Sequence, residues 1–147
     1  MVLKRNAIEE RLKELDETLQ ELNKYSQIEV VSVQANLSRR WIIERGLIAA
    51  ASLIFDIANH ILAGHFGLYV ETYEESLRGL HDQAVISTEL YHQLKGLGGF
   101  RNILVHRYLD IDPGELLDKF QKGLTVFPRF AQEILEWLDN DDQVRET

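Results

Sequence analysis

Cysteine is absent from this 147-residue chain. That excludes disulfides and thiolate-bound metal. Only two prolines occur, Pro113 and Pro128, so little in the sequence breaks a long helix. No long uninterrupted apolar run is present. The longest mainly apolar stretch, GLIAAASLIFDIANHIL, is interrupted by Asp56, Asn59 and His60, which makes it too short and too polar for a membrane span. The opening residues, MVLKRNAIEERLKEL, contain no apolar signal core, so no signal peptide is expected and the expected location is the cytoplasm. Positive charge is also scarce. Sixteen Lys and Arg stand against 24 Asp and Glu, for a net charge of −8, and a large basic nucleic-acid surface is excluded. The acidity lies mainly at the two ends of the chain. The middle segments that hold the histidines and arginines are mildly basic, and it is local charge that governs a phosphate contact.

What the sequence does contain is helical periodicity. Ile8, Leu12, Leu15, Leu19 and Leu22 step by three and four and predict a helix over about 4–24. Residues 25–35 read as a loop or short extended piece. Leu37, Trp41, Leu47, Ile48, Ala51, Ile54, Phe55, Ala58 and Leu62 predict a long helix over about 37–63, with Gly64 and Gly67 marking its end. Thr72 and Glu75 form a capping box that opens a short helix to about 81. Ser87 or Thr88 caps a further helix to about 108, with Gly96, Gly98 and Gly99 in its middle. Asp112 and Pro113 start the last helix, which reaches about 139 and could kink at Pro128. The expected fold is an all-α bundle of four long helices and one short one, a single domain over 1–140 with a flexible acidic tail over 141–147.

The chemically capable side chains gather in GLGGFRNILVHRYLDIDP, residues 96–113. Arg101 and His106 are five apart, about 140° around a helix and about 7.5 Å along it. They cannot easily bond each other, but two long side chains could hold one phosphate between them, and a twofold copy could complete the site. RNA carries its own nucleophile in the 2′-hydroxyl. A histidine can move that proton, and an arginine can stabilise charge growing on the phosphate oxygens. Asn102 could fix the imidazole or donate to the phosphate. No metal is required, and none of His65, His81 and His92 shows metal-ligand spacing.

The stretch RNILVHRY fits R-x4-H-x-Y and resembles the HEPN superfamily, specifically its HepT-like branch of toxin ribonucleases. Arg101, Asn102 and His106 match the family pattern, and Tyr108 matches the branch's added tyrosine. ERGLIAAASLIFDIANHIL looks like the family's long second helix. The resemblance implies a HEPN-like bundle forming a homodimer, with both motifs facing one cleft that cleaves RNA without metal or cofactor. It also implies a minimal nucleotidyltransferase (MNT) antitoxin as partner, one that silences the toxin by transferring AMP to the tyrosine, here Tyr108. The alternative for Tyr108 is packing at the dimer interface. For the whole chain the alternatives are a catalytically inactive HEPN-type module that docks a nucleotidyltransferase or nucleotide, and a pure dimerisation scaffold.

Other residues carry two readings each. Arg39 and Arg40 are RNA-backbone contacts, or Arg40 pairs with Glu44 at the surface. Arg107 and Lys95 add positive potential near the cleft. Asp56 orients His60 or pairs with an arginine of the signature helix, or it is a satisfied core or interface pair, the favoured reading. The three glycines let a neighbour approach closely, or kink the helix so that Arg101 and His106 converge. Phe120, Phe127, Phe130 and Trp137 read as core or interface.

Overall fold

The computed structural model describes residues 3–106 and 111–141. Among the described residues seven helices follow one another: α1 (Arg5–Asn23), α2 (Val30–Ala35), α3 (Leu37–Phe66), α4 (Tyr73–Asp82), α5 (Thr88–Leu94), α6 (Leu97–His106) and α7 (Pro113–Asn140). The all-α expectation holds, and the element count rises. Val30–Ala35, read as loop, is a short helix. The helix expected over 87–108 is two helices, α5 and α6, parted at Lys95 and Gly96. Lys95 leaves the α-region with ψ 138°, and Gly96 has φ 85°, a left-handed conformation that costs a non-glycine residue about 1–2 kcal/mol. Apolar periodicity continues across this joint, which is why the sequence reads as one helix.

Three caps expected from sequence are made. The Thr72 side chain accepts the Glu75 N–H at 3.1 Å, Ser87 Oγ accepts that of Leu90 at 3.1 Å, and Asp112 Oδ2 accepts that of Glu115 at 3.2 Å. Each satisfies an N–H that the first helical turn would otherwise leave open. The long helix α3 ends on Gly67, and Gly64 lies inside its last turn. Helix α7 runs through Pro128 as one element.

Helix α3 is the axis of the molecule and packs against α1, α2, α4, α6 and α7. Against the sequence expectation, α3 is long and apolar enough to cross a membrane by length and composition. Half of its most apolar window is buried inside the bundle, while Leu37, Trp41 and Ile42 near its start are exposed. Ile43, Ile54, Ile57, Ala58, Ile61 and Leu62 are fully covered by neighbours such as Ile8, Leu15, Leu80, Phe120, Phe130 and Ile134, which are buried too. Removing this surface from water is the main favourable contribution to the fold. Phe120, Phe127 and Phe130 are core residues, and Trp137 is half-buried against His65 and Phe66.

Candidate active site

Arg101, Asn102 and His106 sit on α6, and α4 holds the start of that helix. Glu74 Oε1 accepts the N–H of Gly96 at 3.1 Å and of Gly98 at 3.3 Å. A carboxylate bridging two amides at a helix start satisfies open donors and complements the helix dipole. The close approach requires glycine at 98, because a Cβ there would stand 2.7 Å from Tyr73 Cβ. Gly99 meets nothing within 4 Å. The three glycines thus have three situations: Gly96 turns the chain, Gly98 admits α4, and Gly99 leaves open space on the outer face.

Arg101 is half-buried at the seam with α3 and α4. Its guanidinium lies over the Tyr73 ring, 5.3 Å from the centroid, and Tyr73 in turn stacks on Phe55 at 4.3 Å and 20°. Nε donates to Ser52 Oγ at 3.4 Å, and Nη1 reaches Asn102 Oδ1 at 3.5 Å. The cation is held by a ring face and weak neutral acceptors, and among the described residues no carboxylate pairs with it, so it can still receive an anion.

Asn102 and His106 are exposed on a different face. Gly99 shares that stripe with His106, being seven residues away. Ile103 and Val105, exposed at 40% and 38%, flank Asn102 and His106 with uncovered apolar surface. The single chain therefore gathers Arg101, Asn102 and His106 on one helix without bringing Arg101 and His106 onto one face. Arg107 and Tyr108 lie outside the described residues.

The secondary candidates separate. Arg39 is exposed and donates to Ser32 Oγ. Arg40 was expected at the surface and is not: Nε donates to Glu44 Oε1 at 2.6 Å and Nη2 to the Ile111 carbonyl at 2.8 Å, with side-chain exposures of 16% for Arg40 and 7% for Glu44. The pair ties α3 to the segment that leads into α7, so Arg40 belongs to the fold and the RNA-contact reading passes to Arg39. Asp56 accepts from Arg11 Nε at 2.5 Å, an arginine of α1 and not of the signature helix. Burial holds the His60 imidazole below its usual pKa; Arg11 adds to this and Asp56 opposes it. Among the described residues no group of three or more His, Asp or Glu is arranged to hold a metal. Tyr73 and Glu74 escaped the sequence reading, although they lie inside the capping box that was recognised.

The family model described as ribonuclease HepT-like matches residues 8–134. The chain belongs to that family. The matched span contains the whole R-x4-H-x-Y stretch. The tRNA nuclease HepT of Aphanizomenon flos-aquae is 29% identical over 131 residues, 89% of each chain. Two solved structures share the HepT-like fold. One is the cytosolic protein YutE of Bacillus subtilis, whose function is unknown, with TM-score 0.79, 24% identity and coverage of 95% of this chain and 94% of that one. The other is a tri-AMPylated HEPN toxin of Shewanella oneidensis in complex with an MNT antitoxin, with TM-score 0.79, 20% identity and coverage of 88% and 96%.

Proposed function

We propose that this HepT-like protein is a metal-independent endoribonuclease, the toxin of a cytoplasmic toxin–antitoxin pair, acting as a homodimer. The observation that carries the reading is the division of labour on α6. Arg101 is seated against Tyr73 and Ser52 with no carboxylate partner among the described residues, while His106 and Asn102 stand exposed beside uncovered Ile103 and Val105. A second copy against this face would cover the apolar side chains and bring one arginine toward the other copy's histidine. That resolves the separation of about 140° within one helix.

In this reading His106 takes the proton of the 2′-hydroxyl, and the 2′-oxygen attacks phosphorus. The bond from phosphorus to the 5′-oxygen breaks, and an imidazolium returns a proton to that leaving oxygen. Arg101 binds the phosphate oxygens as charge builds on them. Asn102 orients the imidazole or donates to the phosphate. The products are a 2′,3′-cyclic phosphate and a 5′-hydroxyl. Lys95, Arg39 and Arg107 assist with the backbone. Purified protein is expected to cut RNA in EDTA and leave these ends; ends of the opposite polarity would refute the mechanism.

The partner in this reading is an MNT-type nucleotidyltransferase antitoxin. Tyr108 oxygen would attack the α-phosphorus of ATP, forming the tyrosyl–phosphate bond and releasing pyrophosphate. An adenylyl group next to Arg101 would occupy the phosphate site. The relatives support this: the Aphanizomenon protein is named a tRNA nuclease, and the Shewanella toxin is AMPylated. Co-expression with such a partner is expected to add mass in steps of AMP to the wild type and none to Tyr108→Phe.

A further inference from the structure

A slot opens next to Arg101 between α3, α5, α6 and α7. It is lined by apolar side chains, Phe100 and Phe127 among them, and by four basic residues: Lys95, Arg101, Lys119 and Lys122. Lys119 and Lys122 are exposed, three residues apart on α7, and so share one side of that helix. Lys119 Nζ stands 5.8 Å from the Phe100 ring centroid and Lys95 Nζ stands 5.6 Å from that of Tyr91. Outside the slot Arg5, Arg11, Lys24, Arg40 and Arg129 are each paired with a carboxylate, whereas among the described residues other cations such as Lys13 and Arg39 are not. Among the described residues no carboxylate pairs with Lys95, Lys119 or Lys122. Four cations around one opening, in a protein of net charge −8, repel one another and gain from an anion.

Size decides which part of a nucleic acid fits. The cavity measures about 40 Å³, room for a water or two and not for a base. Phe100 and Phe127 are 8% and 4% exposed, so they offer no free ring face for stacking. A nucleic acid would therefore meet these basic residues with its phosphates, outside the slot.

We infer that Lys95, Lys119 and Lys122 form a sequence-independent phosphate track for single-stranded RNA, leading from Arg101 across the α5–α6 joint onto α7. The track rests on the nuclease reading for its choice of RNA as the anion. It enters binding and not chemistry, so its loss raises KM and leaves kcat.

The test compares Lys119→Ala/Lys122→Ala with Lys13→Ala, an exposed lysine of α1 outside the slot. Binding of short single-stranded RNAs is measured in a His106→Ala background, where no RNA is cut, across a salt series. Each phosphate contact on a single strand contributes about 0.7 to the slope of log K against log salt. The double variant is expected to lose about 1.4 from that slope, equally for every sequence, while Lys13→Ala matches the parent. An unchanged slope and affinity would overturn the track. So would unchanged RNA binding accompanied by lost binding to the purified nucleotidyltransferase, which would assign the lysines to a protein partner. If the otherwise wild-type protein cuts no RNA but the slope still falls, the track stands and the nuclease reading fails.

Discussion

At the scale of single residues, the feature that sets Arg101 apart is what holds it. A carboxylate would fix the guanidinium more firmly but would compete with a substrate phosphate for the same donors. The Tyr73 ring, itself stacked on Phe55, orients the cation and leaves its fork of donors available. In the proposed mechanism Tyr73 is thus a positioning residue. Replacing it with leucine removes a contact of about 0.5–2 kcal/mol, and kcat is expected to fall about 2- to 30-fold with KM little changed. Tyr73→Phe keeps the ring and is expected to restore kcat. Equal rates for the leucine and phenylalanine variants would show that Arg101 does not depend on the ring. Arg40 illustrates the opposite use of an arginine, buried with Glu44 and bonded to the Ile111 carbonyl.

At the scale of elements, the joint between α5 and α6 determines where the signature helix begins, and its glycines predict opposite outcomes. Gly98→Ala would push a Cβ into Tyr73, and such overpacking costs about 1–3 kcal/mol. Gly99→Ala meets open space and is expected to gain up to about 1 kcal/mol through helix propensity. Because Gly99 lies in line with His106, the same change narrows the working face and is expected to lower cleavage while raising the urea midpoint. Matching effects on both midpoints would contradict this assignment. The long helices and the caps at Thr72, Ser87 and Asp112 were legible in the sequence because apolar spacing and capping oxygens are local signals. Helix α2 was not legible: its six residues, VVSVQA, carry three valines that favour extended structure, and packing against α3 and α7 prevails. The break at Gly96 was hidden because glycine in a helix and glycine at a turn read alike. Motif residues could be found from their spacing, but the support from Ser52, Tyr73 and Glu74 comes from other helices and required the fold.

At the scale of the whole molecule, a half-buried histidine makes stability depend on pH. His60 has its folded-state pKa lowered by burial and by Arg11, so below about pH 6.5 the unfolded chain binds the proton more readily than the folded one. Stability from this group is complete above that pH and is lost as pH falls toward the folded pKa. His60→Gln is expected to flatten the decline of the urea midpoint between about pH 7 and 5 relative to wild type; parallel curves would assign the dependence elsewhere. The lysines on α7 had no motif to announce them, and only the packing of α7 against the rest of the bundle brings them beside Arg101. The central claim is that α6 carries a metal-independent ribonuclease site, and sequencing RNA ends tests it most directly. In cells expressing the wild type, new 2′,3′-cyclic phosphate and 5′-hydroxyl ends are expected at defined positions, and purified protein in EDTA is expected to reproduce them. His106→Ala, with unchanged helicity and urea midpoint, is expected to produce none. The same ends at undiminished rate from His106→Ala would contradict the account.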